Sequence, residues 1–255
     1  LVEDESDTVQ NFEEKNYSER FRSLLSGNII STTKIAPSYS VSEIIKKLKT
    51  NPTKDTGNNG GTELLIEDET VYGSMVHLFL QLLPVYSSKN INYIKSLVFT
   101  KFQSDLRDYG NLELAFDESK RILEKPELAH LLKHPNSFRE ISISGPLNAP
   151  KKMDSHKHKQ IRIKGRLDLL NVTKSEVLIV DFKTNLAVPS SIKALDPYIW
   201  AQLELYSKVL EQSFSGKKIS PAILWTKTGN LMRVARMNSD EALNYIFANQ
   251  VLDEF

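Results

Sequence analysis

Ile163-Lys164-Gly165-Arg166-Leu167-Asp168-Leu169-Leu170-Asn171-Val172 and Glu176-Val177-Leu178-Ile179-Val180-Asp181-Phe182-Lys183-Thr184-Asn185 are two runs rich in Ile, Val and Leu, joined by Thr173-Lys174-Ser175. Such runs around turn residues predict a β-hairpin. If Val172 faces Val177 where the hairpin closes, counting back along both strands puts Asp168 directly opposite Asp181. Opposed side chains share a face, with Cβ atoms roughly 4.5–5.5 Å apart. Lys183 lies on that face too, because strand side chains alternate with a period of two.

Like charges directly opposite one another destabilise a strand pair, so stability alone gives no reason for two facing carboxylates. A divalent cation between them reverses the sign of the interaction, since hard cations take carboxylate oxygens. A lysine beside such an ion can orient or deprotonate a water, or offset charge developing on a phosphate. The bland alternative is an edge hairpin whose charges face solvent, and Asp-x-Lys alone does not separate the two.

Working outward, Asp68 to Leu83 predicts a helix with Met75, Leu78, Phe79 and Leu82 at core spacing. His77 lies beside that stripe, and Gly73 one turn earlier clears space. Ile91 to Leu106, Leu112 to Leu123 and Pro126 to Lys133 read as further helices. Phe138 to Ser144 and Gln160 to Leu170 alternate as strands around a loop, Asn148 to Lys159, that carries four lysines with His156 and His158. The loop reads either as a solvated hairpin tip or as a phosphate-contacting arm. Glu140, on the first of these strands, reads as a surface residue rather than as an accessory acid. Pro197 to Leu210 predicts a helix with Gln202 and Tyr206 four apart on one face. Ile219 to Lys227 and Leu231 to Arg236 form a second strand pair around Thr228-Gly229-Asn230, and Asp240 to Phe255 a closing helix.

Gly-Arg-Leu-Asp (165–168), a hydrophobic strand ending in Asp-Phe-Lys-Thr (181–184), then Gln202-Leu203-Glu204-Leu205-Tyr206 resembles the RecB-type branch of the PD-(D/E)xK nucleases. The last element looks like that branch's Gln-x-x-x-Tyr helix, and Gly73-Ser74-Met75-Val76-His77 resembles its Gly-x-x-x-His helix. Four motifs in the family's order make the match specific. Within the branch, Gly73 to Pro84 (GSMVHLFLQLLP), Val177 to Asn185 (VLIVDFKTN) and Ala222 to Thr226 (AILWT) look most like the carboxy-terminal nuclease domains of AddA-type helicase–nucleases in their alphaproteobacterial form. The resemblance covers roughly residues 60–236.

The resemblance implies an α/β, restriction-endonuclease-like fold: a mixed central sheet of about five strands flanked by helices, with a helical N-terminal extension. It implies hydrolysis of DNA phosphodiesters, with His77, Asp168, Asp181 and the main-chain carbonyl of Phe182 holding Mg²⁺ or Mn²⁺. Lys183 would position or activate the water, making Asp168, Asp181 and Lys183 the catalytic set. Gln202, Tyr206, Arg166 and Thr184 would bind DNA or hold the catalytic groups in place. Expected partners are single- or double-stranded DNA ends, a helicase domain on the same parent chain and an AddB-type subunit, in the bacterial cytoplasm at the nucleoid. Two alternatives stay open: a free-standing RecB-like or Cas4-like exonuclease, and a non-catalytic DNA-end-binding domain that keeps the fold.

Composition bounds these readings. The 255 residues contain no cysteine, which excludes disulfides, thiolate zinc sites and the cysteine-ligated iron–sulfur cluster of some relatives in this branch. A net charge of +1 leaves DNA binding to local basic patches rather than a global field. No apolar run approaches the roughly 18 residues of a membrane span, and no basic-then-apolar leader follows Leu1. Residues 1–60 are polar and charged, with linker composition from Asn51 to Thr62 and one short helix expected at Val41 to Leu48 behind a Ser40 or Ser42 cap. They are expected to be partly disordered or to pack on a neighbouring domain, with residues 61–255 forming the nuclease domain. The start at a leucine in a polar stretch fits a segment cut from a longer chain.

Overall fold

The computed structural model describes residues 38–50, 66–86, 90–105, 110–148, 160–185 and 188–236. The expected linker, the basic loop at 149–159 and the closing helix fall outside them. In chain order the elements are β1 (Ser38–Ser40), α1 (Val41–Thr50), α2 (Ile66–Leu82), α3 (Ile91–Phe102), α4 (Gly110–Glu124), α5 (Pro126–Lys133), β2 (Ser137–Asn148), β3 (Gln160–Val172), β4 (Glu176–Lys183), α6 (Pro197–Ser213), β5 (Lys218–Trp225) and β6 (Asn230–Arg233). A 3₁₀ turn, Ile192–Ala194, leads into α6.

The hairpin closes in the register read from sequence: Val172 pairs with Val177 and Leu169 with Val180, antiparallel. Thr173 fixes the turn, its N–H donating to the Glu176 carbonyl at 2.8 Å while its Oγ1 accepts from the Glu176 N–H at 3.0 Å. β4 is the central strand, running parallel to β5 from Glu176↔Lys218 to Lys183↔Trp225. Its residues Val177 to Phe182 are all buried, which explains why it reads as a continuous apolar run rather than an alternating one. β6 returns antiparallel to β5. The turn starts earlier than expected, because Thr226 leaves the ladder and donates its N–H to the Lys183 carbonyl at 2.9 Å.

The sheet has six strands rather than five. The additional one is β1, which pairs in parallel with Arg162, Ile163 and Lys164 of β3. Ser40 caps α1 reciprocally: its Oγ accepts from the Glu43 N–H at 3.1 Å, and its own N–H donates to Glu43 Oε2 at 3.0 Å. Val41 and Ile44 of α1 are buried against the sheet. The composition boundary at residue 60 therefore falls beyond one strand of this chain's own sheet and a helix packed on it. Local polarity could not show this, because the apolar groups anchoring α1 are few and their partners lie over a hundred residues away in sequence.

Two apolar layers sandwich the sheet. One joins α1 and α6 to Ile163, Ile179, Ile223 and Trp225. The other joins α2 to α5 to Leu169, Val180, Phe182 and Leu224. This is the mixed α/β architecture expected. No helix among the described residues is long and apolar enough to cross a membrane.

Candidate active site

β3 is long enough to serve three partners. One edge pairs with β2 along its length. The other pairs with β1 through Lys164 and with β4 only from Leu169 onward. Gly165-Arg166-Leu167-Asp168 thus borders an opening in the sheet, and the four-residue motif is the stretch of β3 without a strand on that side.

At the same place the strands exchange faces. Ile161, Ile163 and Leu167 of β3 point into the α1/α6 layer, Leu169 into the other, then Leu170 and Val172 into the first again. β2 does the same between Phe138 and Ile141. The residues at the switch are Asp168 and, flanked by the pairs Arg139↔Leu169 and Ile141↔Leu167, Glu140. Glu140 has φ 54°, and it alone among described non-glycine residues has positive φ. Such left-handed backbone costs on the order of 1–3 kcal/mol, and strain of this kind clusters at functional sites. Register therefore sets Glu140, Asp168 and Asp181 in a row across β2, β3 and β4. The expectation that Glu140 is a surface residue is corrected: its side chain is only 18% exposed. The signal was present, since pairing Phe138 with Leu170 brings Glu140 opposite Asp168, but it appears only when β2 is aligned to the hairpin.

Each carboxylate has defined partners. Asp168 Oδ2 accepts from the Phe182 N–H at 2.7 Å, where the β3–β4 ladder has ended. Its Oδ1 lies 3.1 Å from His77 Nδ1, and the His77 ring meets Phe182 edge-on with centroids 5.4 Å apart. Asp181 Oδ1 accepts from Gln202 Nε2 at 3.0 Å, and Lys183 Nζ sits 2.8 Å from Oδ2. Glu140 Oε2 holds Arg166 Nε at 2.7 Å. His77 comes from α2 and Gln202 from α6, so the two helical layers reach the carboxylates from opposite sides of the sheet.

The electrostatics follow from this crowding. Burial raises the pKa of Asp181, only partly opposed by Lys183. Burial likewise raises Glu140, with the Asp168 carboxylate adding to it. Burial pulls His77 and Lys183 down, but the neighbouring carboxylates, Asp168 for His77 and Asp181 for Lys183, prevail and raise both. Burial and mutual repulsion of the carboxylates thus both act on this site. His77, Glu140 and Asp168 offer ligand atoms within 4.8 Å of one another. Asp181 Oδ2 is buried against the Lys183 ammonium. One imidazole with several carboxylate oxygens and no sulfur fits a hard or borderline divalent cation.

The expected supporting residues are present. Tyr206, 3% exposed, receives Gln202 Nε2 at 3.4 Å, and burial lifts its phenol above the usual range. A Cβ on Gly165 would lie 2.4 Å from Tyr206 Cε1, so this glycine is required for the Tyr206 ring to lie on β3. A Cβ on Gly73 would lie 3.1 Å from Thr184 Oγ1. The cleft, about 510 Å³, is lined by His77, Glu140, Arg166, Asp168, Lys183 and Thr184, with Lys101 and Phe102 of α3 on its rim. Neither rim residue was singled out by a motif.

No curated protein matches the chain. Among solved structures, one titled "Crystal structure of SSO0001" aligns over 96% of this chain and 86% of its own, at 12% identity and a TM-score of 0.38. At that level it carries no argument. The sequence model of the PD-(D/E)XK nuclease superfamily, in contrast, matches residues 60–250, spanning α2 to β6 and every residue of the site. An Asp within one strand where its face switches, Asp-x-Lys on the neighbouring strand and an opening in the sheet beside them are what that match encloses, and the chain belongs to the PD-(D/E)XK nuclease superfamily.

Proposed function

We propose that this chain is the nuclease module of an AddAB/RecBCD-type helicase–nuclease, a Mg²⁺- or Mn²⁺-dependent exonuclease acting on DNA ends in double-strand-break repair and recombination at the bacterial nucleoid. The observation that carries the reading is the convergence of His77, Glu140, Asp168 and Lys183 on one cleft, with Asp181 buried against Lys183. The four motifs and their AddA-like flanks support the finer assignment.

His77, Asp168 and Asp181 would hold the ion, with the Phe182 carbonyl beside them and Glu140 as an additional acid. Bound there, such an ion would supply Lewis-acid polarisation of a phosphoryl oxygen and of the attacking water. Lys183, kept charged by Asp181, stands where it can orient that water and offset charge on the phosphate. Gln202 fixes the Asp181 carboxylate and is itself backed by Tyr206. Arg166 and Lys101 place positive charge on the rim, where flanking phosphates would pass, and Thr184 lines the mouth.

The test is an end-labelled single-stranded oligonucleotide incubated with the purified chain. Weak shortening from the end is expected with Mg²⁺ or Mn²⁺ and none with EDTA. Cleavage that resists the chelator, or equal cleavage of circular single strands, would overturn the metal-dependent exonuclease reading.

The helicase assignment has its own expected outcome. No Gly-x-x-x-x-Gly-Lys-Ser/Thr loop occurs in these residues, so the chain alone should not hydrolyse ATP. Joined to its helicase and an AddB-type partner, it should degrade DNA far faster and only with ATP. Full processive degradation by this domain alone would favour the free-standing exonuclease instead.

A further inference from the structure

Away from the cleft, on the α2–α5 side, Glu118 of α4 is 1% exposed. Its Oε2 accepts from the Tyr72 hydroxyl at 2.6 Å and lies 2.7 Å from Lys227 Nζ. Lys227 Nζ also sits 3.9 Å from the centroid of the Tyr72 ring. Glu118 Oε1 is buried with no hydrogen-bond partner among the described residues. Burying a carboxylate is expensive, and a half-satisfied polar network stabilises less than an apolar core of the same shape. Stability does not account for this cluster.

Its neighbours in sequence do. Tyr72 precedes Gly73, whose backbone packs on Thr184. Lys227 follows Thr226, whose N–H and Oγ1 both donate to the Lys183 carbonyl, at 2.9 and 3.1 Å. Both arms from Glu118 thus end on Lys183-Thr184, one through α2 and one through the β5–β6 turn. Apolar packing leaves a helix free to slide or rotate by small amounts, whereas a hydrogen bond and an ion pair to one oxygen are directional. α2 is also the helix that carries His77, five residues beyond Tyr72.

We propose that Tyr72, Glu118 and Lys227 form a positioning clamp that sets α2, and with it His77, against the Asp181-x-Lys183 strand. None of the three lines the cleft; they act through the helix and the turn. The inference rests on the nuclease reading for its purpose but not for its geometry.

The experiment uses the full chain carrying Lys227→Met, Glu118→Gln or Tyr72→Phe. In metal-free protein, the His77 imidazole resonances should shift in each variant while those of His134, outside the cluster, stay in place. Mn²⁺ affinity per folded molecule should fall about tenfold, and Lys227→Arg should restore much of it. If Lys227→Met does not fold, Tyr72→Phe, which removes one hydroxyl, decides. Unmoved His77 resonances in a folded variant would overturn the clamp, even if its melting temperature falls. Wild-type protein that binds no Mn²⁺, with the His77 shifts still seen in the variants, would sink the nuclease reading and leave the clamp standing.

Discussion

Asp181→Ala is expected to abolish both metal binding by calorimetry and DNA cleavage, while Lys183→Ala retains metal binding and loses cleavage. The two residues are 2.8 Å apart, so the contrast reflects chemistry rather than location. Removing Asp181 takes away a buried carboxylate proposed to hold the ion and frees Gln202. Removing Lys183 takes away positive charge and leaves every oxygen ligand in place. Each loss should lower the rate by at least about 10²-fold, the usual contribution of one such group. An active Lys183→Ala protein would remove the lysine from the mechanism, and an Asp181→Ala protein with wild-type metal affinity would move the ion elsewhere.

Gly165→Ala should be the most damaging small change outside the charged groups. The added methyl would lie 2.4 Å from Tyr206 Cε1 and 3.3 Å from Val41 Cγ2, and both neighbours are buried. Overpacking of this kind costs about 1–3 kcal/mol, which should lower the melting temperature by several degrees. The rate should fall further than the stability loss explains, because Tyr206 backs Gln202 and Gln202 holds Asp181. Adding Tyr206→Leu should recover most of the melting temperature without recovering the rate. A Gly165→Ala protein as stable and as active as the parent would contradict the close packing of ring on strand.

Much of this site was legible because its signals are local. The hairpin register follows from two apolar runs and one turn, and Ser40 is one of two serines that the sequence marks as the cap of α1. Gly73 and His77 are one turn apart on a single helix. What escaped depends on relations between segments. Alternation along β2 taken alone makes Glu140 a surface residue, because nothing within Phe138 to Ser144 announces that the strand exchanges faces in its middle. The docking of β1 and α1 depends on β3, far along the chain, and the Glu118 cluster joins three segments with no shared motif. Lys101 and Phe102 reach the cleft only because α3 ends there.

The opening in the sheet has one further consequence. Because β3 lacks a strand beside Gly165 to Asp168, the polar groups there are completed by side chains from two separately docked helices, His77 91 residues before Asp168 and Gln202 21 residues after Asp181. Detaching either helix dismantles the constellation while most of the sheet remains. Local opening events are the commonest excursions of a native protein, and here opening of either helix disarms the site. A half-folded copy would lack the assembled site, so hydrolytic competence coincides with complete folding without any separate inhibitor.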